Sequence, residues 1–325
     1  MGKVNIEEIK NKILNIIKIN GSITELKNYI QKNNIVLKDL NNENFDTLTY
    51  FISNDASYDL IKYVISECHY NNLNFVFSEN KGSFNRSNIQ YIYFKDRKVP
   101  LFLAILKQNF KVADLLIKNK ADINYYIKDI NNKDINILHY LFYFYSLDMV
   151  RLNYIMSNGF KIKGITSNLI VDLISSKYYG KIDLLENIFK NYIFDNLFIL
   201  NILSFYKNKR SLSDKQLHSM IINEKNKIEI TDIMYDSAIY EKNYDILTVL
   251  LDCDGSDQSN ILRKIYKYEI LEYAVEDCRF NSNYNLIKKI LSIPTLDFEC
   301  VNMDTILTEA CKKKNVKVMN LFIES

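Results

Sequence analysis

Apolar residues along the chain recur at helical spacing. Val112, Leu115 and Leu116 do so, as do Ile246, Leu247, Leu250 and Leu251, and each set makes one face that must pack on a neighbour. A polar phrase opens each of these predicted helices. It reads Ser57-Tyr58-Asp59-Leu60, Asn109-Phe110-Lys111-Val112, Asn243-Tyr244-Asp245-Ile246, Asn283-Tyr284-Asn285-Leu286 and Asn315-Val316-Lys317-Val318, with looser versions at Leu147-Asp148-Met149 and Tyr179-Gly180-Lys181-Ile182. In the C-terminal third the preceding helices align as well. Tyr235-Asp236-Ser237-Ala238, Leu271-Glu272-Tyr273-Ala274 and Leu307-Thr308-Glu309-Ala310 set three alanines 36 residues apart, a period typical of stacked repeats.

The predicted unit is therefore helix, turn, helix, and the predicted fold class is all-α. Seven copies are readable, with an eighth, degenerate copy around Leu200-Asn201-Ile202-Leu203 and Asp214-Lys215-Gln216-Leu217. Residues 1–40 hold a further helix pair, Ile6 to Ile30 with Gly21-Ser22 as its turn, which would cap the N-terminal end. Residues 41–75 form a repeat, 76–98 an insertion and 99–325 further repeats, of which 167–225 are degenerate. Within the insertion a polar stretch from Ser78 to Asn88 precedes the alternating Tyr91, Ile92, Tyr93 and Phe94. All 325 residues are read as one array, because a helix pair buries its apolar stripe only against the next.

Composition supports helices over hairpins. With 7 Gly and 2 Pro, the chain has little of the punctuation that β-rich folds need. A formal charge of +3, carried mostly by Lys, gives no nucleic-acid or membrane field. The arginines, Arg86, Arg97, Arg151, Arg210, Arg263 and Arg279, are scattered, which disfavours phosphate and guanine recognition. Met1 to Lys18 lacks the uninterrupted apolar core of a signal peptide, and no run approaches the roughly 18 apolar residues of a membrane span. Five cysteines without clustered spacing fit reduced thiols in the cytoplasm. Cys278, Cys300 and Cys311 are expected to be packing residues.

The candidate chemistry is thin. His69, His139 and His218 lie far apart in sequence, and Cys68-His69 offers two ligands where zinc needs four, so neither metal nor cofactor is expected. No phosphate loop, dinucleotide motif or nucleophile elbow occurs. The acidic pairs Glu276-Asp277 and Asp252 with Asp254 are typical of a solvated face. Lys312, Lys313, Lys314 and Lys317 could touch an acidic partner, but a solvent-facing helix surface is the simpler reading.

Specific phrases suggest a family. Val99-Pro100-Leu101-Phe102-Leu103-Ala104 resembles the Thr-Pro-Leu-His-x-Ala opening of the ankyrin repeat, and Ala121-Asp122-Ile123-Asn124 resembles its close. Asn136-Ile137-Leu138-His139 retains the family's His, and Ser157-Asn158-Gly159 its terminal Gly turn. Lys120 stands where the family has a left-handed Gly, so a locally altered turn is expected there. The chain ends at Ile323-Glu324-Ser325 as a second helix forms, where either more chain or a partner would cap it.

The resemblance implies an ankyrin-repeat solenoid of about seven to eight units with a helical N-terminal cap. It also implies a monomeric, non-catalytic scaffold that binds a protein or peptide on its concave face and finger loops. His139 would hydrogen-bond the neighbouring turn. Partner contacts transfer to Ser53 and Asn54, Leu106 and Lys107, Tyr143 and Phe144, Tyr206, Tyr240 and Glu241, Glu276 and Asp277, and Lys312 and Lys313. The aromatic members, Tyr143, Phe144, Tyr206 and Tyr240, would form the energetic centre, unless they are core residues in a tyrosine-rich chain. Two other readings stand beside this one: a substrate-recruiting adaptor of a ubiquitin ligase with its effector module elsewhere, and an enzyme with an unrecognised site.

Overall fold

The computed structural model describes residues 6–19, 21–78, 97–129, 131–208, 215–277 and 281–324. It is mostly helical, with 67% of these residues in helices. The chain divides into two compact units, Met1–Ile165 and Thr166–Ser325.

In the first unit, α1 (Ile6–Lys18) buries Ile9, Ile13, Ile16 and Ile17 along one stripe. α2 (Ile23–Lys32) starts on a capping box: Ser22 Oγ accepts from Glu25 N at 3.2 Å and Glu25 Oε2 accepts from Ser22 N at 2.9 Å. A Cβ on Gly21 would lie 2.8 Å from the Ile16 carbonyl, so only glycine fits this turn. Three helix pairs follow: α3 (Thr47–Ser53) with α4 (Tyr58–Cys68), α5 (Pro100–Leu106) with α6 (Phe110–Lys118), and α7 (Ile137–Tyr143) with α8 (Met149–Ser157). The first helices pack in succession, α3 on α5 and α5 on α7, and so do α2 on α4 and α4 on α6. Each helix buries its apolar positions; Leu101, Phe102, Ala104, Leu138 and Tyr140 are almost wholly covered.

The loops between these pairs contain two short antiparallel strand pairs that the apolar pattern does not predict. β1 (Phe77–Ser78) pairs with β2 (Arg97–Lys98), and β3 (Tyr126–Lys128) with β4 (Asp134–Asn136), all antiparallel. In the second, Ile127 opposes a buried Ile135. Asn132 at φ 62° takes the left-handed place usually given to glycine, and Asp129 Oδ1 accepts from Asn131 N and Lys133 N at 2.8 Å. The polar stretch and the Tyr91–Phe94 alternation of the expected insertion lie outside the described residues, apart from Ser78 in β1.

The second unit comprises α9 (Ser167–Ser175), α10 (Lys181–Asn191), α11 (Asn196–Asn208), α12 (Lys215–Glu224), α13 (Asp232–Tyr240), α14 (Tyr244–Cys253), α15 (Gln258–Lys267), α16 (Ile270–Glu276), α17 (Asn281–Leu291), α18 (Met303–Lys312) and α19 (Val316–Glu324). α11, α14, α17 and α19 pack in that order, and α16 packs on α18. The three alanines of the 36-residue register, Ala238, Ala274 and Ala310, are all buried. Two details depart from the sequence pattern. α15 is an additional helix within one period. Asn283 does not open α17 but lies inside it, where its buried amide donates to the Asp277 carbonyl at 2.7 Å and closes the end of α16.

One turn recurs in both units. The amide two residues after each first helix's cap bonds the carbonyl five residues back: Ala56 to Phe51 at 3.0 Å, Asn109 to Ala104 at 2.9 Å, Ser146 to Leu141 at 2.9 Å, Asn243 to Ala238 at 2.8 Å and Asn315 to Ala310 at 3.1 Å. The residue before each of these amides is left-handed: Asp55, Gln108, Tyr145, Lys242 and Lys314, with φ of 58°, 56°, 52°, 52° and 52°. This is the hydrogen-bond pattern of a helix stop that normally uses glycine. Second helices use it too. Lys120 itself adopts φ 70°, and Ala121 N bonds Leu116 O at 2.9 Å. The altered turn expected at Lys120 is therefore not found, because the helix-closing bond holds the backbone left-handed despite the Cβ.

Candidate partner-binding surface

Leu106 and Lys107 end α5, and Tyr143 and Phe144 occupy the equivalent place on α7. All four are half-buried. Lys107 Nζ lies 2.8 Å from both carboxylate oxygens of Asp55, the left-handed residue of the preceding pair. Arg151 ties the same edge from below: its Nε donates to Ile105 O at 3.1 Å and its Nη2 to Leu106 O at 2.7 Å, while Nη1 pairs with Asp148. Phe144 packs at 4.7 Å against the buried Tyr140 ring, and Tyr143 lies 5.8 Å from Phe142. The aromatic that projects from this turn is Tyr145, 76% exposed and absent from the sequence-based set.

In the second unit Tyr240 is 90% exposed at the end of α13. Tyr206 falls in α11, and its side chain lies outside the described residues. The candidates thus separate into a half-buried group on the first unit and an exposed tyrosine on the second. Nothing but register along the chain could have placed Tyr145, since its exposure comes from the left-handed turn.

A groove of about 900 Å³ runs along the turns of the second unit. Lys242 contributes from the α13–α14 turn, Glu276 and Asp277 from the end of α16, and Lys313, Lys314, Asn315, Val316 and Lys317 from the α18–α19 turn. Five of the sequence-selected positions, Glu276, Asp277, Lys313, Lys314 and Lys317, meet here. Lys242 and Val316 were not foreseen. Burial, together with the carboxylates of Asp277 and Glu276, pushes the Tyr244 phenol up to about 12. Tyr244 Oη donates to the Tyr273 carbonyl at 3.2 Å, which anchors α14 beside this wall.

The other polar groups serve packing. Asp252 and Asp254 do not form an acid–base pair. Asp252 binds Lys289, whereas Asp254 Oδ2 sits 2.5 Å from Lys264 Nζ and accepts from Tyr235 Oη at 3.0 Å. His139 is buried, with Nδ1 3.0 Å from Asn136 Oδ1, and burial lowers its pKa to about 4. Beside it, Asn136 reaches the following turn, its Nδ2 donating to Gly164 O at 2.7 Å. Cys68 is buried, and burial followed by the nearby Asp46 charge raises its thiol to about 12. Cys300 and Cys311 are exposed, contrary to the packing role expected of them, because one lies in a single 3-10 turn and the other on the outer face of α18. Cys278 lies outside the described residues.

Among the described residues no helix is long and apolar enough to cross a membrane. No protein-family model, curated protein or solved structure matches this chain.

Proposed function

We infer that this chain is a non-catalytic repeat scaffold of the ankyrin type that binds another protein or peptide through its inter-helix turns. The recurrence of one turn, with the same five-back hydrogen bond and a left-handed non-glycine residue at its apex, carries this reading. A glycine there would close the helix with less strain, so placing Asp55, Gln108, Tyr145, Lys242 and Lys314 at the apices favours side chains that are presented outward. Helices that pack in succession within each unit suit an extended binding surface. The unclustered cysteines Cys68, Cys253, Cys300 and Cys311 fit a reducing, cytoplasmic setting.

The test begins with the purified chain used as bait, its captured proteins identified by mass spectrometry. A direct partner found in this way is then titrated against Tyr145→Ala and Tyr240→Ala. Weakening by about 2 kcal/mol in either variant, with unfolding unchanged, supports the reading. No direct protein partner, or partners indifferent to both Tyr145→Ala and Tyr240→Ala and to substitution of the other apices, would overturn it.

A further inference from the structure

We propose that the groove along the α13–α14 turn, the end of α16 and the α18–α19 turn binds an extended acidic peptide segment whose acidic residues lie about six positions apart around a central basic residue. This inference rests on the scaffold reading and names the kind of partner. It starts from charge. Lys312 and Lys313 share Glu309, at 2.7 Å and 3.9 Å. Lys242, Lys314 and Lys317 form no ion pair among the described residues and are exposed on the groove. Lys242 and Lys314 occupy the same left-handed apex position in their turns, so the backbone itself aims both.

The order of charges follows from the packing. α14 packs on α17 and α17 on α19, so the ends of α13, α16 and α18 that precede them follow one another in the same order. Lys242 therefore stands at one end, Glu276 and Asp277 in the middle, and Lys314 with Lys317 at the other end. Neighbouring helices are about 8–10 Å apart, so the two lysine ends are separated by about 16–20 Å. An extended peptide covers that distance in about six residues. The central carboxylates oppose a nucleic acid, whose backbone would bring a phosphate to every step, but they suit a basic side chain on a peptide. Val316, 64% exposed on the groove wall, offers apolar contact to the peptide stem.

The experiment uses the full chain and a fluorescein-labelled peptide with two Glu pairs six residues apart around a central Lys, read by fluorescence anisotropy. Controls are a scrambled peptide of the same composition, a central Lys-to-Glu version and labelled oligouridylate. The expected result is that the spaced peptide binds tightest and that added salt weakens it. The combined variant Lys242→Asn, Lys314→Asn and Lys317→Gln, whose helical circular dichroism should be unchanged, should bind it at least about tenfold more weakly. Glu276→Gln should abolish the preference for central Lys over central Glu. Equal binding of the scrambled peptide, tighter binding of oligouridylate, or an unaffected lysine variant overturns the proposal. A captured protein partner that depends on Tyr145 or Tyr240 but ignores the lysine variant would remove this inference and leave the scaffold reading standing.

Discussion

Replacing Asp254 with alanine should destabilise the second unit by about 3 kcal/mol. The Lys264 side chain is 11% exposed and that of Asp254 3%, so the pair lies within the packing of α13, α14 and α15. Removing the carboxylate takes away the 2.5 Å ion pair, the acceptor for Tyr235 Oη at 3.0 Å and the acceptor for Ser256 N at 3.0 Å. An uncompensated buried charge of this kind costs roughly 3 to 5 kcal/mol. The loss is softened, because the ammonium stays 5.2 Å above the Tyr235 ring. The low end of the range follows.

Denaturant unfolding followed by circular dichroism measures this. The double variant Asp254→Leu with Lys264→Met serves as the internal control and should recover to within about 1 kcal/mol of the starting protein. The acid limb supplies a second reading. Burial opposes ionisation of Asp254, but Lys264, Ser256 and Tyr235 together hold its pKa below the ordinary 3.8. Its contribution is thus complete above pH 3.8 and is lost as the pH falls toward the folded value. The Asp254→Ala variant should lack that part of the acid loss. A cost below about 1 kcal/mol, or a double variant as unstable as the single, would refute the reasoning.

His139 folds neutral, with a pKa of about 4 against an ordinary 6.5, so the unfolded chain binds the extra proton and stability falls with pH between these values. The loss from pH 7 to pH 5 should be about 2 kcal/mol, and His139→Gln should flatten that slope in parallel unfolding series. Lys120→Gly should stabilise the first unit by about 1 kcal/mol through relief of left-handed strain, as a raised denaturation midpoint would record. Tyr240→Ala should change stability by under about 0.5 kcal/mol, since the ring is 90% exposed; a loss of several kcal/mol would assign it to the core.

The helix pairs were legible because each buries a stripe against a neighbour, and that requirement writes itself into local spacing. The alanines 238, 274 and 310 are the clearest case: each lies on a first helix, and all three are buried. The phrase openings at Asn109, Asp148 and Asn243 fell where the helices begin, because these side chains cap them. α15 escaped notice since it carries no such phrase. Its polar Lys264 is held by Asp254, a partner outside the helix. The β3–β4 hairpin was hidden because Asn132, not glycine, makes the turn. The candidate surface was legible in part: register gave Glu276, Asp277 and Lys313, and the run of lysines gave Lys314 and Lys317, but neither gave Lys242, which only the succession of helices brings into line with them.

The left-handed apices have a consequence for how such a surface can change over time. At Asp55, Gln108, Tyr145, Lys242 and Lys314 the backbone conformation is imposed by a hydrogen bond to the preceding helix, and the cost of a Cβ is similar among unbranched residues there, lower for Asn and Asp and higher for β-branched ones. Exchanging one unbranched side chain for another at an apex is therefore close to neutral for folding while it alters what the turn presents. On the proposed scaffold reading, what these positions present could drift without compensating changes in the core, and replacement by glycine would remove the presented side chain while making the molecule firmer.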